Sequence, residues 1–290
     1  AVQVTARDAQ GNTAASFTGN VTVGIGTNPG AGTLSGTTTV AAAAGIATFS
    51  TLSIDKSGTG YTLTAAAAGL GATTSAAFTI NPGTATQLVV TVQPTNTSAG
   101  VAITPAVQVT ARDANGNTAT GFTGNVTVAI GTNPNGGALS GTTTIAAAAG
   151  VATFSTLSIN KVGTGYTLTA AATGLSGTTS TGFAITPGPA TQLAFTVQPS
   201  NTTAGATITP AVQVTARDAQ GNTATGFTGN VTVAIGANPG SGTLSGTTTV
   251  AAVAGIATFS TLSINKVGTG YTLTAAATGL SGTTSTGFAI

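Results

Sequence analysis

The stretch Ala106-Val-Gln-Val-Thr-Ala-Arg-Asp-Ala-Asn-Gly-Asn-Thr-Ala119 occurs again at Ala1–Ala14 and Ala211–Ala224, with Gln10 and Gln220 in place of Asn115. The spacing is 105 residues both times, so the chain is a tandem array: three copies of an 80-residue block (1–80, 106–185, 211–290) separated by two copies of a 25-residue block. Self-similarity at a fixed period means that one structural unit is specified repeatedly. Between 106–185 and 211–290 there are eight differences, among them Thr132/Ala237, Ala148/Val253 and Val151/Ile256, and each exchanges small for small or apolar for apolar.

Within a repeat the apolar period is two, carried by Val, Ile, Thr, Phe and Tyr between Gly, Asn and Pro, which is the pattern of strands. In the second repeat Leu88, Val90 and Val92 alternate up to Pro94; Val107, Val109 and Ala111 run to the turn Asp113-Ala-Asn-Gly-Asn117; Val126, Val128 and Ile130 end at Asn133-Pro-Asn-Gly136. A weak strand is expected around Leu139–Ile145. Ala152 and Phe154 open a longer one whose Leu157 and Ile159 are out of phase, which predicts a β-bulge near Ser155-Thr156. Tyr166, Leu168 and Ala170, then Phe183 and Ile185, complete about seven strands. Ala146–Ala149 has helix-forming composition, but flanking threonines and Gly150 argue against a helical turn.

Seven short strands with regular turn signals predict an all-β chain of end-to-end, two-sheet Greek-key sandwiches of immunoglobulin size. Gly163-Thr-Gly-Tyr166-Thr-Leu resembles the tyrosine corner of that fold, in which the Tyr hydroxyl returns to nearby backbone; Tyr61 and Tyr271 hold the same place. The series VQVTARDANGN, VTVAI, GVATFSTLSI and GTGYTLTAAA resembles the bacterial immunoglobulin-like domains of the invasin and intimin type, and every 105-residue period carries it. That resemblance implies tandem modules in an exported, bacterial, cell-surface or extracellular protein. The expected division is 1–80, a repeat without its first strand; 81–83, linker; 84–185, complete; 186–188, linker; 189–290, complete.

Composition narrows the function. Six basic and four acidic side chains make 3% charged residues, against about 25% in ordinary domains. There is no His, Cys, Met or Trp, and the four acids are all Asp. Most acid–base, thiol and metal-ligand chemistry is thereby removed, so neither an enzyme nor a cofactor is expected. A net charge of +2 over 290 residues gives no basic surface for nucleic acid. Mean hydropathy is +0.39, yet the Val40–Ile46 run, broken by Gly45, falls far short of the roughly 18 apolar residues of a membrane-spanning helix.

Four candidate features remain. Ser53/Lys56, Ser158/Lys161 and Ser263/Lys266 match Ser-x-x-Lys, which is catalytic when a helix puts both side chains on one face; here the motif leaves a strand and no partner motif exists. Asp8, Asp113 and Asp218 are weak calcium candidates, since one carboxylate per turn is few for a cation that takes six to eight oxygens; the alternative is an Asx turn, with Arg7, Arg112 or Arg217 as ion-pair partners. Asn20, Asn125, Asn230, Asn96 and Asn201 are formal glycosylation acceptors. A Lys–Asn isopeptide needs an adjacent acid, and only Asp55 beside Lys56 offers one.

The function expected is a structural extracellular rod, stalk or filament shaft. Ile80-Asn-Pro-Gly83 and Ile185-Thr-Pro-Gly188 leave about three residues between last and first strands, too few for free bending, so three modules should span roughly 110 to 130 Å. The alternative is an adhesin whose loops bind a host protein or glycan; no loop stands out as aromatic or charged. Low charge also favours lateral filament assembly of copies of the chain. The first repeat, lacking its 25-residue block, is expected to leave an edge that another chain's strand could fill.

Overall fold

A computed structural model describes residues 1–290. It contains strands and turns and no helix, so nothing in it is a helix long and apolar enough to cross a membrane.

The second repeat shows the plan. A four-stranded antiparallel sheet has the order Thr144–Ala146, Asn125–Ile130, Leu168–Ala171, Thr178–Thr179, and a three-stranded one the order Gln87–Val92, Val107–Arg112, Val151–Phe154. The inward residues of the two meet in one core: Val126, Val128 and Leu168 from the first, and Leu88, Val109 and Phe154 from the second. Alternation is what builds this, because every second side chain of a strand lies on the same face. A third sheet, Thr97–Ser98, Phe183–Thr186 and Gly163–Tyr166, closes one end with Tyr166 and Ile185. The third repeat has the same two main sheets and its own core, and its end sheet has two strands, Thr269–Tyr271 and Phe288–Ala289, with no counterpart of Thr97–Ser98.

The strands are more numerous and shorter than the alternation suggested: twelve in the second repeat instead of about seven. The expected Leu139–Ile145 strand divides at Gly141 into Leu139–Ser140, paired with Ser158–Ile159, and Thr144–Ala146, paired with Asn125–Ile130. Gly141 has φ +99°, and a Cβ there would lie 2.1 Å from Thr156 O, so only glycine fits the division. The phase change after Phe154 is not a bulge. It separates two strands with different partners, Val151–Phe154 on Val107–Arg112 and Ser158–Ile159 on Leu139–Ser140. The bulges lie instead between Val90 and Val92 and between Thr164 and Tyr166. Ala148–Val151 is a two-residue hairpin in which Ala149 and Gly150 both have positive φ (47° and 82°) and Ala148 and Val151 exchange two backbone hydrogen bonds.

Thr186 belongs to the last strand of its repeat, and the first strands of the second and third repeats begin at Gln87 and Gln192, with Thr86 and Thr191 N–H already donating to Arg112 and Arg217 O.

The 25-residue block contributes more than its first strand. Ile103 N–H donates to Leu157 O and Gly100 N–H to Ile159 O, laying Ala99–Ile103 over those two core residues. Within residues 1–80 Val2 is 37% exposed, where Val107 and Val212, each preceded by a 25-residue block, are at most 1%. Its core has seven buried residues, against 19 and 17 in the others.

Candidate functional site

The turn Asp113-Ala-Asn-Gly-Asn117 is built by its own sequence. Asp113 Oδ1 accepts the N–H groups of Asn115 and Asn117, both at 2.9 Å, and Gly116 takes φ +79° so that its N–H reaches Asp113 O. This is the Asx turn in which a short acceptor side chain stands in for backbone. The same bonds form at Asp8 with Gln10 and Asn12, and at Asp218 with Gln220 and Asn222.

What the turn does depends on what precedes it. Asp113 Oδ2 accepts Gly83 N–H of the connecting segment at 2.8 Å, and Asp218 Oδ2 accepts Gly188 N–H at 3.0 Å. Asn117 then reaches into the preceding repeat. Its Nδ2 donates to Asp55 O at 2.9 Å while its Oδ1 accepts Ser57 N–H at 3.0 Å. One primary amide thus pairs with alternate backbone groups of the 55–57 loop, as a neighbouring strand would. Asn222 repeats this on Asn160 O (3.0 Å) and Val162 N–H (3.4 Å). At the first junction Lys56 Nζ adds a bond to Asn115 O at 2.6 Å. At the second, Gln220 lies against Gly100, where a Cβ would be 2.6 Å from its amide nitrogen. Asp113 and Asp218, each packed on the repeat before it, are 3% and 1% exposed, and Asp8 is exposed.

The tyrosines serve the other half of the contact. Tyr61, Tyr166 and Tyr271 are fully buried, each packed against a Phe of the last strand, and their hydroxyls donate to Lys56, Lys161 and Lys266 O at 2.9, 3.0 and 3.0 Å. The Lys56 and Lys161 carbonyls lie between the two loop groups that take the next repeat's Asn. The corner therefore fixes the loop to which the following turn attaches.

Electrostatics at the turn favour an anion held by N–H donors. Burial pushes the Asp113 and Asp218 carboxyls up, but bonds from the Asn117 or Asn222 side chain, from Gly83 or Gly188, and from the turn's own amides outweigh it and hold both below the usual carboxylate range. Asp8 is lowered chiefly by Asn12. With N–H groups aimed at both oxygens, this is a poor surrounding for calcium, which needs free oxygen lone pairs; no three acidic, His or Cys side chains gather anywhere. The neighbouring arginines do not pair with these carboxylates: Arg7 Nη1 donates to Gly11 O at 2.6 Å, and Arg112 Nε is buried without a partner.

The Ser-x-x-Lys residues lie on a two-residue strand and the loop after it, with Ser158 opposite Ser140. Asn20, Asn125 and Asn230 open exposed strand ends. Asn96 and Asn201 each accept a backbone N–H with Oδ1, from Ala184 and Ala289. A recess of about 640 Å³ between Asn81–Ala85, Ala119–Phe122 and Thr173–Leu175 recurs at Pro187–Ala190 in the third repeat, and no titratable side chain lines either one.

Sequence reasoning recognised the turn and missed its reach. The signal was present: Asn12, Asn117 and Asn222 are identical, and each repeat also carries an Asp/Asn-Lys loop, but nothing in the linear sequence aligns one repeat's turn with its predecessor's loop.

No protein-family model matches the chain, and no curated protein matches it. Among solved structures the chain is similar to invasin, titled a bacterial integrin-binding protein, with 16% identity over 98% of this chain and 55% of that one and a TM-score of 0.32. It is similar to domains 4–9 of surface layer protein SbsC (19% identity, 98% of this chain, 41% of that one, TM-score 0.28). It is also similar to a β-glycosidase from Bacteroides vulgatus (12% identity, 70% of this chain, TM-score 0.33), of whose length it spans 24%. These are similarities of fold among proteins of different activities.

Proposed function

We propose that the chain is a segment of an extracellular structural rod, a spacer or shaft in which each repeat is held at a set angle on the one before it. The observation that carries this is the pair of bonds from the Asn117 amide to the 55–57 backbone, repeated by Asn222 on 160–162. A flexible linker needs no such contact. Two bonds on one planar amide fix rotation as well as distance, and the Gly83 or Gly188 bond ties the connection to the same turn. Low charge suits a polymeric structural element, because neighbouring shafts meet without ionic repulsion.

Small-angle X-ray scattering of residues 1–290 tests this reading. The expected result is a rod-like distance distribution reaching roughly 110 to 130 Å, which shortens and broadens in the Asn117→Ala/Asn222→Ala variant. A compact or already flexible wild-type chain, or a variant that scatters identically, would overturn it.

A further inference from the structure

Any tension along a tandem array enters a repeat at its first strands and leaves at its last. In the second repeat these two ends lie side by side and run the same way: Thr97–Ser98 pairs with Ile185–Thr186 in the one parallel pair of strands in the chain, and Ala99 N–H donates to Thr186 O at 2.9 Å. Side chains reinforce the pairing. Gln93 Oε1 accepts Thr181 N–H at 2.9 Å and its hydroxyl at 3.3 Å, and Asn96 Oδ1 accepts Ala184 N–H at 2.7 Å. Further back, Leu88 N–H donates to Ser176 O at 2.9 Å and Ser176 N–H to Thr86 O at 3.0 Å, again in parallel sense. The third repeat has the same side-chain locks, Gln198 on Thr286 at 3.0 Å and Asn201 on Ala289 at 2.8 Å, and one backbone bond beside them, Thr202 N–H to Ala289 O at 3.0 Å, without a parallel strand pair. Residues 1–80 have none, because all of them belong to the 25-residue block.

Direction matters here. Antiparallel neighbours pulled apart at their open end separate one bond at a time. Parallel strands pulled from opposite ends are displaced along their common axis, so every bond between them is loaded at once and must fail together. Forced unfolding follows the height of that barrier and not the equilibrium stability.

We propose that Gln93–Ala99 with the last strand of the second repeat, and its counterpart in the third, form a shear clamp that carries tension, with Gln93, Asn96, Gln198 and Asn201 as its locks. This rests on the rod reading and adds load-bearing to it. It also accounts for amide side chains at Gln93, Asn96, Gln198 and Asn201, which belong to no strand.

The test is single-molecule stretching of the 290-residue chain by its ends. The wild type should give two high-force events and one weaker event, from residues 1–80. In Gln93→Ala/Asn96→Ala one of the two strong events should move to the weak class, with the unfolding rate at a given load rising roughly fivefold to tenfold for each lock removed. Asn96→Asp, which keeps an oxygen acceptor for Ala184 N–H, should retain the strong event. If the double variant fails to fold, one event vanishes and the single variants Gln93→Ala and Asn96→Ala carry the same expectation. Two undiminished strong events in folded variants, or three equally weak events in the wild type, would overturn the clamp. Flexible junctions in scattering with strong events intact would instead remove the rod and leave the clamp.

Discussion

Asn117 shows how one side chain changes the meaning of a turn. Its backbone N–H closes the Asx turn on Asp113, and its amide leaves the repeat to hold another. The turn itself was legible from Asp-x-x-Gly-Asn, since each of those residues has a local reason to be there. The outward amide was not, because its partners lie about 60 residues upstream. The carboxylate under it is held in its charged form, which gives a pH dependence with a definite sign. The native pKa of Asp113 lies below the ordinary value of 3.8, so its contribution is complete above that value and is lost as the pH falls from there through the depressed native one. The Gly83 and Gly188 amide signals in NMR should therefore shift together on acidification below about pH 4, with the turn amides; amides that stay constant while the carboxyls titrate would contradict this. Tyr166→Phe keeps the ring against Phe183 and loses one bond to Lys161 O, so the denaturant midpoint should fall by the equivalent of about 1 kcal/mol. Ala149, at φ +47°, occupies a turn position that favours Asn or Gly. Ala149→Asn should stabilise the repeat by about 1 kcal/mol in thermal or denaturant unfolding.

At the scale of elements, alternation located the long strands and went wrong where the chain changes partner. Leu88, Val90, Val107, Val109, Ala111, Val126 and Val128 are all buried, so period two was an adequate guide, although Thr110 on the opposite face of its strand is buried as well. Leu157 and Ile159 are fully buried although they break that phase, because Ala99–Ile103 and the Leu139–Ser140 strand cover them in place of the sheet that holds Phe154. A phase change records a change of neighbour, and sequence alone does not say which neighbour. The covering segment is the least strand-like part of the repeat and still supplies Ile103, 1% exposed. Ile103→Ala should cost about 2 to 5 kcal/mol in chemical denaturation of the second repeat, as for other fully buried aliphatic side chains. A loss below 1 kcal/mol would mean that the block merely lies on the surface.

For the whole molecule, the period of 105 residues fixes what recurs, and the junction fixes how successive copies are set. The corner Tyr holds the loop, the loop receives the Asn amide, and the Asp of the same turn holds the connection, so packing inside one repeat is transmitted to the placement of the next. Because the chain has no Cys, two introduced ones can report that placement directly. Ala148 and Val253 occupy equivalent exposed turns one repeat apart. Nitroxide labels on Ala148→Cys and Val253→Cys, measured by pulsed electron–electron double resonance, read the distance across the second junction. The account expects one narrow distance distribution that broadens when Asn222→Ala is added; a distribution already broad in the labelled parent, or one unchanged by Asn222→Ala, would contradict it.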